Sequence, residues 1–224
     1  MTKKTESEIL FETFCNQNDI GFEPIPTRSK EQEQTPDYDI YVGGQKVVVE
    51  IKQIDPNPEE IRQEKLLETQ RFVVRDVGPP GARVRAKITA GASQIRIRAK
   101  SKYPSVLILY NNVPLSIHTD PYSIRVAMYG LETHVLGVPK EMDKSPYLID
   151  KKFGPKRKMT KDEKTYISAV ADMVKDVEGN PQLFIFHNVY AEIPLMPEIF
   201  RSCKVRQFTL EEKIVGHFQD WKEL

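Results

Sequence analysis

Residues 35–52 read TPDYDIYVGGQKVVVEIK, and they predict two strands joined by a tight turn. Adjacent glycines between two apolar runs are a strong signal for a β-hairpin. Because side chains alternate along a strand, Glu50 and Lys52 share one face of the second strand, while the alternate residues form an apolar face suited to burial. Folding the hairpin brings Asp37, which stands just before the first strand, toward both of them.

Glu50 and Lys52 place an acid and an amine on an otherwise apolar strand, where charged groups are either paired or used. Two carboxylates a few ångströms apart repel each other unless a cation lies between them, and oxygen ligands completed by water suit Mg²⁺ or Mn²⁺. A neighbouring lysine orients or deprotonates a water molecule, or stabilises charge on a phosphate. Together with Asp37 these residues predict a metal-dependent site for phosphodiester hydrolysis. The structural alternative is a cross-strand ion pair, with Asp37 as a turn residue after Pro36.

The order Pro36-Asp37, a spacer of twelve residues and then Glu50-Ile51-Lys52 resembles the signature of the PD-(D/E)xK nuclease superfamily. The resemblance covers residues 1–110 and implies the restriction-endonuclease-like fold. It also implies that Asp37 and Glu50 bind the metal ion and that Lys52 assists the attacking water. We therefore expect a nuclease that depends on Mg²⁺ (or Mn²⁺), with DNA favoured over RNA as its substrate.

A third metal ligand is implied by the same resemblance, because members of the superfamily often carry a glutamate on a preceding helix. Glu8 fits this role, since it lies beside the apolar, core-facing stripe of the predicted N-terminal helix. Glu12, one turn further along the same side, is the alternative to Glu8. Asp39 shares a face with Asp37 and is the alternative to it, although the Pro-Asp match favours Asp37.

The element order over residues 1–110 predicts an α/β fold with an α-β-β-α-β core, in which helices flank a central mixed sheet. Capping residues, apolar periodicity and breakers set the expected bounds. We expect a helix from about residue 5 to before residue 21, an edge strand at 22–26, the hairpin at 38–52, helices at 58–75 and 84–102, and a buried central strand at 105–110.

Residues 111–224 predict an extension of the sheet and a C-terminal helix. The expected strands are 123–129, 165–174, 182–186 and 204–208, and the segment 167–174 is also compatible with a short helix. Thr209 is a capping residue for the terminal helix, which runs to Leu224 and carries Ile214, Phe218 and Trp221 on one face. No repeat or linker divides the sequence, so we predict a single nuclease-like domain over residues 1–224.

Nucleic-acid binding has to rest on local patches, because the formal net charge of the 224 residues is only +1. The helix at 84–102 is basic outside its apolar stripe, and a second basic cluster at 151–161 contains the glycine and proline typical of a loop. Solvated surface is the alternative reading of both. We expect phosphate contacts from Gln94 and Arg98 on the helix and from Lys152, Lys156, Arg157 and Lys158 in the loop.

The composition points away from several other classes of protein. No stretch approaches the ~20 apolar residues of a membrane span, and the N-terminus lacks the apolar region of a signal peptide, so a cytoplasmic protein without a membrane partner is expected. The two cysteines are far apart and are expected to be reduced. The sequence contains neither a phosphate-binding Gly-rich loop with Lys-Ser/Thr nor a Gly-x-Ser-x-Gly elbow.

The sequence thus predicts a Mg²⁺-dependent nuclease that hydrolyses phosphodiester bonds, with nucleic acid as its partner. Enzymes that cut both strands of a duplex commonly dimerise, and a homodimer is left open. The alternative from another class is a catalytically inactive module of the same fold that binds nucleic acid or a protein partner.

Overall fold

The computed structural model describes residues 4–26, 35–74, 78–99, 102–114, 116–141, 143–210, 212–214, 217–218 and 220–224, with the backbone alone for 132, 151–153, 212–214 and 217–218. Over these ranges the chain is an α/β structure in which four helices flank a mixed sheet of eight strands. This agrees with the predicted class. None of the helices in the described ranges has both the length and the apolar character needed to cross a bilayer.

The helices are α1 (Glu6–Gln17), α2 (Pro58–Leu67), α3 (Ala82–Ala99) and α4 (Pro121–Tyr129), with a 3₁₀ turn at Pro197–Phe200. The large sheet contains, in chain order, β1 (Gly21–Pro24), β2 (Tyr38–Val42), β3 (Gln45–Ile54), β4 (Ser105–Asn111), β7 (Ala169–Lys175), β8 (Pro181–His187), β9 (Val205–Thr209) and β12 (Lys222–Glu223). Two small sheets pair β5 (Glu132–Gly137) with β6 (Tyr147–Phe153) and β10 (Glu212–Ile214) with β11 (His217–Phe218).

The large sheet has the strand order β1-β2-β3-β4-β7-β8-β9-β12. Its centre is parallel, because β4 pairs in the same direction with β3 on one side and with β7 on the other. The edges are antiparallel at β1–β2 and at β9–β12. A parallel pair needs a crossover, and α2 and α3 supply it between β3 and β4.

The predicted hairpin is confirmed, since β2 and β3 pair antiparallel through a turn at Gly43 and Gly44. Both glycines have positive φ, of 55° and 75°, as the tight turn that follows the twist of the strands requires. The last pair of the ladder is Tyr38 opposite Val49. Asp37 therefore stands at the next position, across from Glu50.

The predicted alternation of side chains along β3 is also confirmed, because odd- and even-numbered residues pack into different cores on the two faces of the sheet. Val47, Val49 and Ile51 pack in the core beneath α1. Val48 belongs to the opposite core, which is formed with α3 and α4. Glu50 shares this second face with Val48, so the strand carries its acid under α3.

Six other predicted elements are confirmed within a few residues. The N-terminal helix, the second helix after the hairpin and the strands β7, β8 and β9 all occur, and β4 lies at the centre of the sheet as expected. Residues 100–101, at the end of the predicted second helix, lie outside the described ranges. The helix predicted at 58–75 ends earlier, at Leu67, and Gln63 is its one buried residue. With so little apolar surface to bury, packing does not extend it.

Residues 123–129 form helix α4 and not the predicted strand. The prediction was wrong because a run that is buried on all sides has no hydrophobic periodicity that separates a helix from a strand. The start of the helix decides the matter: Asp120 caps it by accepting a hydrogen bond from the Ser123 amide at 3.0 Å, and Pro121 occupies the first turn.

The predicted C-terminal helix is wrong as well, because the described part of residues 209–224 forms short strands. Residues 211, 215–216 and 219 lie outside the described ranges. Lys222 pairs with Thr209, which continues β9 instead of capping a helix. The Trp221 indole donates a hydrogen bond to the Pro121 carbonyl at 2.8 Å and packs on Phe186. Burial of the indole against α4 therefore outweighs the helical pattern of the tail.

Gly43 and Gly44 offer a matched test of the hairpin turn. An added Cβ at Gly43 would lie 2.8 Å from Ile199 Cα, whereas the space around Gly44 is open. Both substitutions by alanine force a left-handed residue, at a cost of roughly 1–2 kcal/mol. We expect Gly43→Ala to lose about 1–3 kcal/mol more than Gly44→Ala in the free energy of unfolding by urea, because the clash is with backbone. Equal losses would show that the turn does not press against Ile199.

Candidate active site

The hairpin brings Asp37 and Glu50 together, as the strand phase predicts. The Asp37 carboxylate accepts a hydrogen bond at 2.7 Å from the backbone amide of Ile51, the residue that follows Glu50. This bond fixes the Asp37 side chain against β3. Since Asp37 stands opposite Glu50, the two carboxylates meet on the face covered by α3.

Glu50 is fully buried, and its carboxylate has few partners. The Lys52 ammonium approaches Glu50 Oε1 at 2.5 Å. The ammonium is not oriented to donate a hydrogen bond to this oxygen. Among the described residues, both Glu50 oxygens therefore lack a hydrogen-bond partner. A buried acid in this condition is costly unless a proton or a cation neutralises it.

Gly91 allows α3 to cover Glu50 closely. A Cβ at this position would lie 2.7 Å from Leu107 Cδ1 and 3.2 Å from Glu50 Cγ. The glycine costs α3 about 1 kcal/mol of helix propensity relative to alanine. Gly91 was not among the predicted site residues, although a lone glycine inside an amphipathic helix is a recognised signal of close packing.

Lys52 is held in place by two neighbours. Besides its ion pair with Glu50, its ammonium donates a hydrogen bond at 2.7 Å to the Gln94 side-chain oxygen. The Gln94 amide nitrogen in turn donates at 3.1 Å to the Thr35 carbonyl, just before the hairpin. Gln94 was predicted to contact nucleic acid; the structure places it inside the site, where it orients Lys52 and links α3 to the segment that carries Asp37.

The negative charges of Asp37 and Glu50 repel each other. Burial raises the pKa of Glu50 to about 8, the negative charge of Asp37 adds to the rise, and Lys52 acts against it. Burial also raises the pKa of Asp37, against the stabilising effects of the Ile51 amide and Lys52. At neutral pH without a cation, Glu50 therefore keeps its proton, and a divalent cation between the carboxylates would displace it.

The predicted third ligand, Glu8, and its alternative, Glu12, both have other partners. The Glu8 carboxylate closes the capping box of α1 by accepting hydrogen bonds from the Thr5 amide at 2.6 Å and the Thr5 hydroxyl at 2.8 Å. Glu12 accepts a hydrogen bond from the Tyr38 hydroxyl at 2.9 Å and is paired with Lys4.

Asp39 is buried in an ion pair with Arg98 and Lys46. Although burial disfavours its charge, hydrogen bonds from these two cations hold the pKa of Asp39 below its ordinary value. Arg98, predicted to contact phosphate, thus ties α3 to β2. The Arg98 side chain is 38% exposed, so part of it still reaches solvent.

The predicted basic loop is partly a strand, because β6 continues to Phe153 and pairs with β5. The hairpin of β5 and β6 was not among the predicted elements. The side chain of Lys152 lies outside the described part of the structure. Lys156 and Arg157 are exposed, and Lys158 is half-buried. Lys156 and Lys158 lie beside α3, at a cleft distinct from the carboxylate pair.

A divalent cation would have two acids of this site as ligands. Across the described residues, no three His, Cys, Asp or Glu side chains are grouped closely enough to hold a metal ion. Mg²⁺ is commonly bound by one or two carboxylates, with water in its remaining positions. The unbonded oxygens of Glu50 and the raised pKa of both acids fit such an ion.

Comparison with known proteins adds no relative to this geometry. No family model, no curated protein and no solved structure matches the chain. The functional assignment therefore rests on the site itself.

Glu50→Gln tests the protonation of the buried pair. The pKa of Glu50 in the folded protein, about 8, lies above its ordinary value of 4.5, so the folded state binds the extra proton between these limits. The free energy of unfolding should therefore fall as pH rises through this window. We expect Glu50→Gln to remove that fall, so that without metal the variant gains stability relative to wild type toward about pH 8. Urea unfolding across the range measures it, with the exposed Glu68→Gln as control. Parallel profiles of Glu50→Gln and wild type would contradict the assignment.

Proposed function

We propose that this protein is a metal-dependent nuclease of the PD-(D/E)xK type that hydrolyses phosphodiester bonds, with DNA favoured over RNA. One observation carries the proposal: Asp37 and the fully buried Glu50 meet beneath α3, with the Lys52 ammonium 2.5 Å from Glu50. A fully buried acid next to a half-buried one, both with raised pKa, and a positioned lysine are expensive for the fold and typical of a reactive centre.

Each residue of the site has a chemical task in this proposal. Asp37 and Glu50 hold the Mg²⁺ or Mn²⁺ ion, which, when bound, lowers the pKa of water and offsets charge on the phosphate. Lys52 orients the attacking water or stabilises negative charge that develops on the phosphate. Gln94 is a positioning residue, because its hydrogen bond fixes the Lys52 ammonium.

The topology supports the restriction-endonuclease-like assignment of the fold. α1 precedes the hairpin of β2 and β3, and the chain then crosses through α3 to β4, parallel to β3. With β1 and α2 as additions, this order is compatible with the α-β-β-α-β core that the resemblance implies. The C-terminal strands extend the sheet beyond β4, through β7 to β9.

An inactive binding module is the second candidate, and one observation favours it. Glu8, the expected third ligand, is engaged in the cap of α1, so the described residues offer two acids and not three. A module of this kind would bind nucleic acid or a protein partner and would show no cleavage stimulated by Mg²⁺ or Mn²⁺.

A cleavage assay separates the two candidates. Single- and double-stranded DNA and RNA are incubated with wild type and with Lys52→Ala in the presence of Mg²⁺ or Mn²⁺. We expect wild type to cut and the variant to lose about 10²–10⁴-fold in rate, the range for loss of a group that assists proton transfer. Lys65→Ala, an exposed position on α2, is the charge-matched control. Unchanged cleavage by Lys52→Ala would exclude its catalytic role, and binding without cleavage by wild type would support the inactive module.

Metal binding should release a proton. Because the pKa of Glu50 is about 8 without metal, a divalent cation that binds at neutral pH displaces close to one proton. Calorimetric titration with Mn²⁺ in buffers of different ionisation enthalpy counts the protons. We expect Asp37→Asn to bind much more weakly and Glu50→Gln to release none. Proton release that persists in Glu50→Gln would place the ion elsewhere.

A further inference from the structure

A second cleft lies on the flank of α3 and has a strongly basic lining. Its volume is about 320 Å³, and it is open to solvent. Arg85, Ala86 and Thr89 of α3 form one wall, and Lys156 and Lys158 form the other. At about 100° per residue, Arg85 projects about 120° around the helix from Gly91, so the cleft and the carboxylate pair lie on different flanks of α3.

Arg85 is the unusual group of this cleft. Its side chain is buried, with 7% of the residue exposed. Its one described hydrogen bond is a long one, 3.5 Å, to the Val126 carbonyl in α4. No described carboxylate forms an ion pair with Arg85, and burial alone lowers the pKa of its guanidinium. With one long hydrogen bond and no acidic partner among the described residues, the Arg85 guanidinium has donors left over, and these reach solvent, where a ligand in the cleft can accept from them.

The two lysines are brought to Arg85 by backbone contacts. The amides of Lys158 and Met159 both donate to the Met128 carbonyl at the end of α4, at 3.1 and 2.8 Å. Lys156 adopts a left-handed conformation, with φ of 68°. Among the described residues neither lysine has an acidic partner. The segment after β6 is thus anchored to α4, and its cations converge on the buried arginine.

The cleft selects for an anion of a particular kind. Its lining contains three cations, a threonine and no acid. Guanidinium groups bind phosphate oxygens through two parallel hydrogen bonds, and ammonium groups add charge without fixed direction. An open cleft of this size admits a phosphate that is part of a chain as well as a free one.

We propose that the cleft formed by Arg85, Lys156 and Lys158 binds a phosphate group of the nucleic acid, away from the bond that is cut. This inference deepens the proposed nuclease function and rests on it for the source of the phosphate. A polynucleotide that follows this path crosses the middle of α3, where the exposed side chains between residues 86 and 93 are small: Ala86, Thr89, Ala90 and Ser93. The phosphate itself is recognised by Arg85, with the lysines at the mouth of the cleft.

Binding experiments without divalent metal test this proposal independently of catalysis. Inorganic phosphate and a short DNA oligonucleotide are titrated, with chelator present, into wild type and into the Lys156→Ala/Lys158→Ala variant. Both lysines lie outside the core, so this variant is expected to fold as wild type does. We expect its affinity for the oligonucleotide to fall at least about tenfold. The slope of log affinity against log salt should fall by about two, one for each phosphate-directed lysine. Lys161→Ala, an exposed cation outside the cleft, is the matched control.

Arg85→Gln and Arg85→Lys complete the test. We expect Arg85→Gln to abolish binding of inorganic phosphate, and Arg85→Lys to restore part of it because charge returns without the planar fork. Circular dichroism identifies a variant that does not fold, in which case the double lysine variant decides.

The outcomes separate this inference from the nuclease proposal. Binding of inorganic phosphate that depends on Arg85, without oligonucleotide binding, supports the phosphate cleft and contradicts the nucleic-acid source. Oligonucleotide affinity that falls no further in the double variant than in Lys161→Ala overturns the inference, even where wild type cleaves DNA. Absence of binding for both probes overturns it as well.

Discussion

The buried carboxylate of Glu50 is the constraint on which the rest of this structure depends. An acid without hydrogen bonds beneath a helix is tolerated only if it is protonated or neutralised, and every neighbouring element contributes to that condition. Gly91 allows α3 to lie over the acid, the Ile51 amide holds Asp37 next to it, and Lys52 supplies the opposing charge. The same arrangement raises the pKa of Glu50 and prepares the site for a cation. The burial of the Glu50 carboxylate therefore both costs stability and underlies the proposed function.

Helix α3 carries two sets of polar and charged residues on two different flanks. On the flank toward the hairpin, Gln94 and Arg98 hold Lys52 and Asp39, so these polar side chains attach the helix to the sheet. On its other flank, Arg85 lies buried beside Lys156 and Lys158 without an acid. A nearly neutral protein thereby keeps an acidic site and a basic cleft apart, which suits the handling of a polyanion at two points.

Prediction from sequence succeeded where the pattern was local and regular. The glycine pair and the alternation from Val47 to Lys52 specified the hairpin, its register and the face that carries Glu50. It failed where burial is complete or where an edge strand competes with a helix. The run 123–129 is buried on all sides, Ser123 and Arg125 included, so its cap and not its periodicity decides for α4. The tail has a helical stripe, yet Trp221 gains more by packing on Phe186 while Lys222 pairs with β9.

The sequence by itself determined that Asp37, Glu50 and Lys52 converge, because a tight hairpin and the two-residue period of a strand are properties of a short stretch of chain. Only the tertiary structure decided the partners of the remaining charged residues. Gln94 and Arg98 were both predicted to contact nucleic acid, and the fold gives each of them a protein partner: one orients Lys52 and the other neutralises Asp39. Arg85 and Lys158 are distant in sequence but line the same cleft. These contacts depend on how α3 is rotated and placed over the sheet, and that is settled by the packing of the whole core.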